Sequence, residues 1–328
     1  MEPALLMQLP SGADITSVRQ MDGGALVSTQ SSIIVCNSVL SPIRRVDICD
    51  GSVYSILDCT VHGGYIFVAM LDTDTDEIII KKYSATADVA DRGTVAKIPI
   101  SHDKGVYPHN AHDLCRIAAI PNALLVAIAT TDHQLAQSPT SNMGKVVRVD
   151  LGTIASQSQF AHPMPRYVHA VGVTNSINGL CNLDPLNRSD ACVMLIGEQD
   201  GQYKIYLLTE GRNYGWNLRK AKIQCAATNG NCTPLTYQMP KRSGQLAGNS
   251  VHGGYSSNGY YYYASSDTNV STINALKEIQ SLTWDKVDLR SVRPIAMAAK
   301  GLNVVHNRLI VYGKDNVGNG IIYGILVQ

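Results

Sequence analysis

"GGALVSTQSSIIVC", residues 23–36, decides how this chain is read. Two glycines make a turn, "ALVST" supplies β-formers, "QSS" interrupts them with a polar break, and "IIVC" begins a second strand. Branched side chains suit a pleated, half-buried surface, whereas glycine supplies the backbone freedom of a tight turn. Similar runs recur as "GGYIFVAMLD" (63–72), "NALLVAIATTD" (122–132), "ACVMLIGEQDGQYKIYLL" (191–208), "NGYYYYASSD" (258–267) and "NRLIVYGKDNVGNGIIYGILV" (307–327). They are spread along the whole chain at intervals of roughly 40–70 residues, long for a plain propeller blade but suited to blades with loop insertions. "VHGG" also occurs twice, at Val61 and Val251. Helical periodicity is nearly absent; "NALKEIQSL" (274–282) has helix formers but is short and reads equally as strand. The expectation is an all-β, six-bladed β-propeller of four-stranded antiparallel blades, one domain over residues 1–328. In such a ring "ALLMQLP" (4–10) would pair beside "IIYGILVQ" (321–328) and close the circle.

Composition narrows the partners. The net charge is +1 with no basic block, so the electrostatic footprint of a nucleic-acid binder is missing. No run of about 18 apolar residues exists to span a bilayer. The start, "MEPALLMQLPSGAD", lacks the basic and apolar regions of a signal peptide, which implies an intracellular chain or a leader already removed. Eight cysteines include two closely spaced pairs, Cys181 with Cys192 and Cys225 with Cys232, which are candidate disulfides. Asn187 ("NRS"), Asn231 ("NCT") and Asn269 ("NVS") are glycosylation acceptors by pattern. Together these favour an oxidising, extracellular setting over a cytoplasmic one with buried thiols.

From residue 112 to 217 the chain resembles the glucose/sorbosone dehydrogenase family. "EGRNYGWN" (210–217) is similar to that family's Gly-x-Asn-Tyr-Gly-Trp-Pro signature, with Asn217 in place of proline. "MGKVVRVD" (143–150) resembles its Gly-Lys-Ile-Leu-Arg strand, and "AVGVTNSING" (170–179) its Gly-x-Arg-Asn-Pro-x-Gly segment. The resemblance implies a six-bladed propeller that oxidises sugars with pyrroloquinoline quinone (PQQ) and calcium. It also gives a role to "YPHNAHDLCR" (107–116), where His112 and Arg116 match a His-x-x-x-Arg strand whose histidine takes the sugar's proton. A neutral imidazole suits that task.

Other family positions differ. Thr174 replaces a cofactor-holding arginine before the matching Asn175, and a short hydroxyl cannot do a guanidinium's bidentate work. Tyr203 and Lys204 stand where the family places calcium-binding carboxylates, with Glu198 and Asp200 nearby. The turn "ASSDTNV" has no lysine, while Arg293, and with it Arg290, falls near the family's late arginine pair.

Blander readings compete. His109 and His112 could be zinc ligands but lack a third ligand at short range; Gly144-Lys145 lacks phosphate-loop spacing; Tyr260–Tyr263 would alternate between two blade faces as packing; Trp216 and Trp284 read as anchors. The expectation is therefore a propeller with a degenerate cofactor site, neither PQQ nor calcium bound, that recognises a protein or glycan through loops on one face. The rival is an active PQQ- and calcium-dependent aldose dehydrogenase with His112 as base and Asn175 and Arg293 on the cofactor. A third reading reuses the channel for hydrolysis or lysis through a carboxylate cluster.

Overall fold

The computed structural model describes residues 2–49, 53–86, 89–108, 113–151, 168–173, 176–182, 190–197, 203–208, 210–214, 242–244, 250–257, 260–266, 270–280, 283–287 and 293–326. These form six sheets. In chain order, the first holds β2 (Ile15–Met21), β3 (Gly24–Thr29), β4 (Ser32–Asn37) and β5 (Pro42–Asp47). The second holds β6 (Tyr54–His62), β7 (Tyr65–Asp72), β8 (Glu77–Ser84) and β9 (Asp91–Pro99). In the third are β10 (Cys115–Ile120), β11 (Ala123–Ile128), β12 (Lys145–Asp150), β13 (Val168–Val171) and β17 (Arg212–Asn213). The fourth has β14 (Ser176–Asn182), β15 (Cys192–Gly197), β16 (Tyr203–Leu207) and β18 (Arg242–Gly244). The fifth has β19 (Ser250–Ser257), β20 (Tyr260–Ser266), β21 (Ser271–Gln280) and β22 (Thr283–Val287). The last combines β23 (Ala298–Val305), β24 (Arg308–Lys314) and β25 (Asn319–Leu326) with β1 (Ala4–Ser11).

Each recurrent run of the sequence begins just ahead of the second strand of a sheet: β3, β7, β11, β15, β20 and β24. The turn residues explain the punctuation. Gly63 and Gly64 before β7 have φ of 56° and 76°, and His306 and Asn307 before β24 have 46° and 63°. Paired positive φ angles match the right-handed twist of a hairpin. "NALKEIQSL" is mostly strand, within β21, because its backbone pairs with β20 and β22 on either side.

First strands adjoin one another in order, β2, β6, β10, β14, β19 and β23, and β23 returns to β2. An apolar cluster fills each junction between neighbouring sheets, such as Leu57, Phe67, Ile117 and Val126 between the second and third. Tyr261 and Tyr263 enter the cluster toward the fourth sheet and Tyr262 the cluster toward the last, so the tyrosine run alternates as packing. Burying both faces of each sheet in this way is how a propeller protects short strands. The closure is the expected one: β1 pairs antiparallel with β25, Ala4 opposite Gly324 and Gln8 opposite Ile321.

Two expectations need correction. The third sheet is not purely four-stranded and antiparallel, because β17 adds to β13 in parallel, Ala170 opposite Arg212. The two "VHGG" copies are not equivalent. The first ends β6 and forms its turn, whereas the second lies near the start of β19, so their match is not a repeat register.

Candidate functional site at the ring axis

The first strand of each sheet lines the axis, and five of the six carry a register shift: Ile15/Ser17, Ile56/Asp58, Ile177/Gly179, Gly253/Ser256 and Ala299/Gly301. A bulge re-aims one side chain without ending the strand. Polar residues of the inner strands, Asp58 and Lys300 at such shifts among them, sew these strands together.

Asp58 on β6 is fully buried and receives Arg19 Nη2 of β2 at 3.0 Å on each carboxylate oxygen. It also accepts the amides of Cys59 at 2.8 Å and of Ile117, on β10, at 3.0 Å. Arg19 Nε donates to Cys59 O at 2.7 Å. Burial alone would lower the guanidinium's pKa, but Asp58, with Tyr312 and Cys59, carries it above its ordinary value. The Cys59 thiol is pushed up to about 11 by burial and then by Asp58, so it is inert as a nucleophile near neutrality.

Arg116 on β10 is 5% exposed. Its Nε reaches Ile177 O of β14 at 3.2 Å, and its Nη1 reaches Thr16 O of β2 at 3.5 Å. Asn182 Nδ2 of β14 returns to Ala119 O at 2.9 Å, and Asn303 Nδ2 of β23 donates to Val18 O at 2.9 Å. Lys300 of β23 grips Asp14, just before β2, at 2.5 and 2.6 Å, with Lys314 at 3.4 Å from the same carboxylate. Arg19, Arg116 and Lys300 are the cations that the inner-strand sequences contain, and each is already engaged by protein acceptors. Among the described residues no group of three or more His, Cys, Asp or Glu is placed to hold a metal. Beside the N-terminal ends of β2 and β6 opens a polar cleft of about 390 Å³, lined by Ser11, Asp14, Gln30, Ser31, Tyr54 and Ser55 among others.

The sequence motifs prove architectural where the structure describes them. Lys145 of "MGKVVRVD" is 2% exposed, and its ammonium donates to Leu135 O, Ala136 O and Met143 O at 2.9, 2.8 and 3.1 Å. Leu135 and Ala136 belong to the short helix α1 (His133–Gln137). Burial pulls this lysine's pKa down to about 7. Gly144 beside it has φ 70°, and a Cβ there would come within 2.4 Å of Ala136 Cα, so helix and strand touch through glycine. In "EGRNYGWN", Asn213 exchanges amide hydrogen bonds with Gln137 at 2.7 and 3.1 Å, and Tyr214 OH donates to Leu207 O at 2.8 Å. The tyrosine also meets Tyr206 edge-on, with ring centroids 4.8 Å apart.

Arg293 sits at the surface, three-quarters exposed, with Nη1 2.7 Å from Glu2 Oε1. His109, His112, Thr174, Asn175, Glu198, Asp200, Trp216 and Arg290 lie outside the described residues, as do Cys225, Cys232, Asn187, Asn231 and Asn269. The Cys181–Cys192 bridge is corrected. Cys192 is opposite Asn182 and Cys181 opposite Val193, so the two thiols point to opposite faces of their sheet. Cys192 packs toward the third sheet and Cys181 toward the fifth.

Sequence reasoning missed Arg19, Asp58, Asp14 and Lys300. The available signal was a charge inside a β-forming run, as in "SVRQM" and "ILDCTV", where alternation alone predicts either a solvated face or an axial one.

Fold and axis together define an all-β propeller of small antiparallel blades, in which the described cations of the inner strands are held by protein acceptors. No protein-family model matches the chain. Nor does any curated protein. Among solved structures it is similar to a glucose dehydrogenase, at 10% identity and TM-score 0.67, over 99% of each chain. It is also similar to a protein from Thermus thermophilus described as an oxidoreductase (glucose dehydrogenase), at 16% identity and TM-score 0.65, over 98% of this chain and 100% of that one. The chain thus has a glucose dehydrogenase-like propeller fold. Among the described residues no helix is long and apolar enough to cross a membrane.

Proposed function

We propose that the six sheets are six blades of one closed ring, and that this ring is a recognition module for a protein or glycan partner rather than a sugar oxidase. One observation carries the reading: the inner-strand cations are committed to Asp58, Asp14 and backbone carbonyls. A multiply anionic quinone needs unengaged guanidinium or ammonium groups, and calcium needs clustered oxygen ligands. The described hub residues do not fit either. Arg293, paired with Glu2 at the surface, adds no support for a cofactor contact.

The polar cleft beside β2 and β6 supports recognition on that face, since loops on a rigid scaffold vary without disturbing the ring. With the Cys181–Cys192 bridge withdrawn, the proposed extracellular setting rests on the closely spaced Cys225 and Cys232 and on the sequons Asn187, Asn231 and Asn269.

Reconstitution tests the reading. Saturating PQQ and calcium, a panel of aldoses and an artificial electron acceptor are expected to give no dye reduction. Turnover that disappears in His112→Ala would establish the dehydrogenase instead.

A further inference from the structure

The segment Gly211–Tyr214 leaves the fourth sheet and hooks back onto the outer edge of the third. Gly211 N donates to His169 O at 2.8 Å and Tyr214 N to Val171 O at 3.0 Å, on either side of the parallel β13–β17 pairing. Asn213 pins the same strap to Gln137. On β13, beside the strap, His169 is 5% exposed, and among the described residues neither Nδ1 nor Nε2 has a hydrogen-bond partner. A buried imidazole without partners tolerates only its neutral form.

The surroundings offer the protonated ring a better place. Among the described residues, the charged groups acting on it are Glu210, in the turn before β17, Arg148 on β12, and Asp190, just before β15. Arg148 Nε is held by Asp150 at 2.8 Å, while Glu210 and Asp190 are exposed. Two carboxylates therefore stand at the surface near an imidazole that makes no hydrogen bond among the described residues. Burial, the largest influence, lowers the imidazole's pKa, Arg148 adds to this, and Glu210 and Asp190 oppose it.

We propose that His169 is an acid-sensitive latch for this strap. When it takes a proton from solvent, the imidazolium leaves its dry seat toward Glu210 and Asp190, and the hydrogen bonds joining residues 211–214 to β13 open. The device changes how the third and fourth sheets are tied without touching the axial network.

Hydrogen–deuterium exchange tests it, corrected for intrinsic rates and compared at about pH 7.5 and about pH 5.5, either side of the ordinary imidazole range. If the released ring titrates normally near pH 6.5, strap opening becomes about tenfold more frequent over that interval. Peptides covering 168–171 and 210–214 are expected to gain exchange together on acidification, while β24 and β25 stay protected. In His169→Phe, which fills the seat but cannot titrate, the pH dependence of those peptides is expected to vanish. No local change in the native protein, or a change that persists in His169→Phe, would overturn the proposal. Should that variant fail to fold, NMR titration of the His169 ring in the native protein decides the matter: protonation must occur where the strap opens, and a ring neutral down to global acid unfolding refutes the latch.

Discussion

Replacing Asp58 by alanine withdraws the acceptor shared by Arg19 and Ile117, on inner strands to either side of β6. Arg19 is only 17% exposed, so the variant leaves a guanidinium largely desolvated, with Nε still on Cys59 O but Nη2 without its carboxylate. Breaking a buried ion pair from one side costs about 3–5 kcal/mol, and a stranded buried amide such as Ile117 N about 1–3 kcal/mol. The two costs share one relaxation and do not simply add, so a total loss of about 4 kcal/mol is expected. Urea unfolding followed by tyrosine fluorescence and by circular dichroism would measure it, with coincident transitions required before a free energy is read. The double variant Arg19→Met with Asp58→Leu removes both charges and should recover part of the loss, because an apolar pair escapes the desolvation cost. A change within about 0.5 kcal/mol for Asp58→Ala, the usual range of a surface substitution, would refute the claim that this pair holds the hub.

Lys145 gives a pH test. Its folded pKa is lowered to about 7 from 10.5, so the unfolded chain binds the extra proton between those values and stability should rise with pH across that window. Lys145→Met is expected to flatten that rise in a series of thermal unfolding curves, and an unchanged slope would assign it to another group. For the cysteines, alkylation after unfolding without reductant should label both Cys181 and Cys192. A peptide pair linked through these two residues would contradict their placement on opposite faces.

Much of the architecture was legible because it is local. Hairpin turns need positive φ, strands need β-formers, and both requirements are written in short windows such as 63–72 and 307–327. The closure of β1 on β25 was legible for a related reason, since an unpaired edge strand at each terminus of a ring has one natural partner. Local pattern misled where two faces of one sheet were at stake. The Cys181–Cys192 spacing suggested a staple, but strand register set the thiols on opposite sides of one sheet, because successive residues alternate.

By itself the sequence determined an all-β chain of repeated hairpins, since turn chemistry and β-propensity act between near neighbours. Only the tertiary structure decided what the motifs do. Lys145 caps a helix and Tyr214 anchors a strap, while Arg19 and Lys300, in no motif, meet carboxylates 39 and 286 positions away in the chain. Electrostatics depends on distance in space, and closing the ring brings those charges together at its axis.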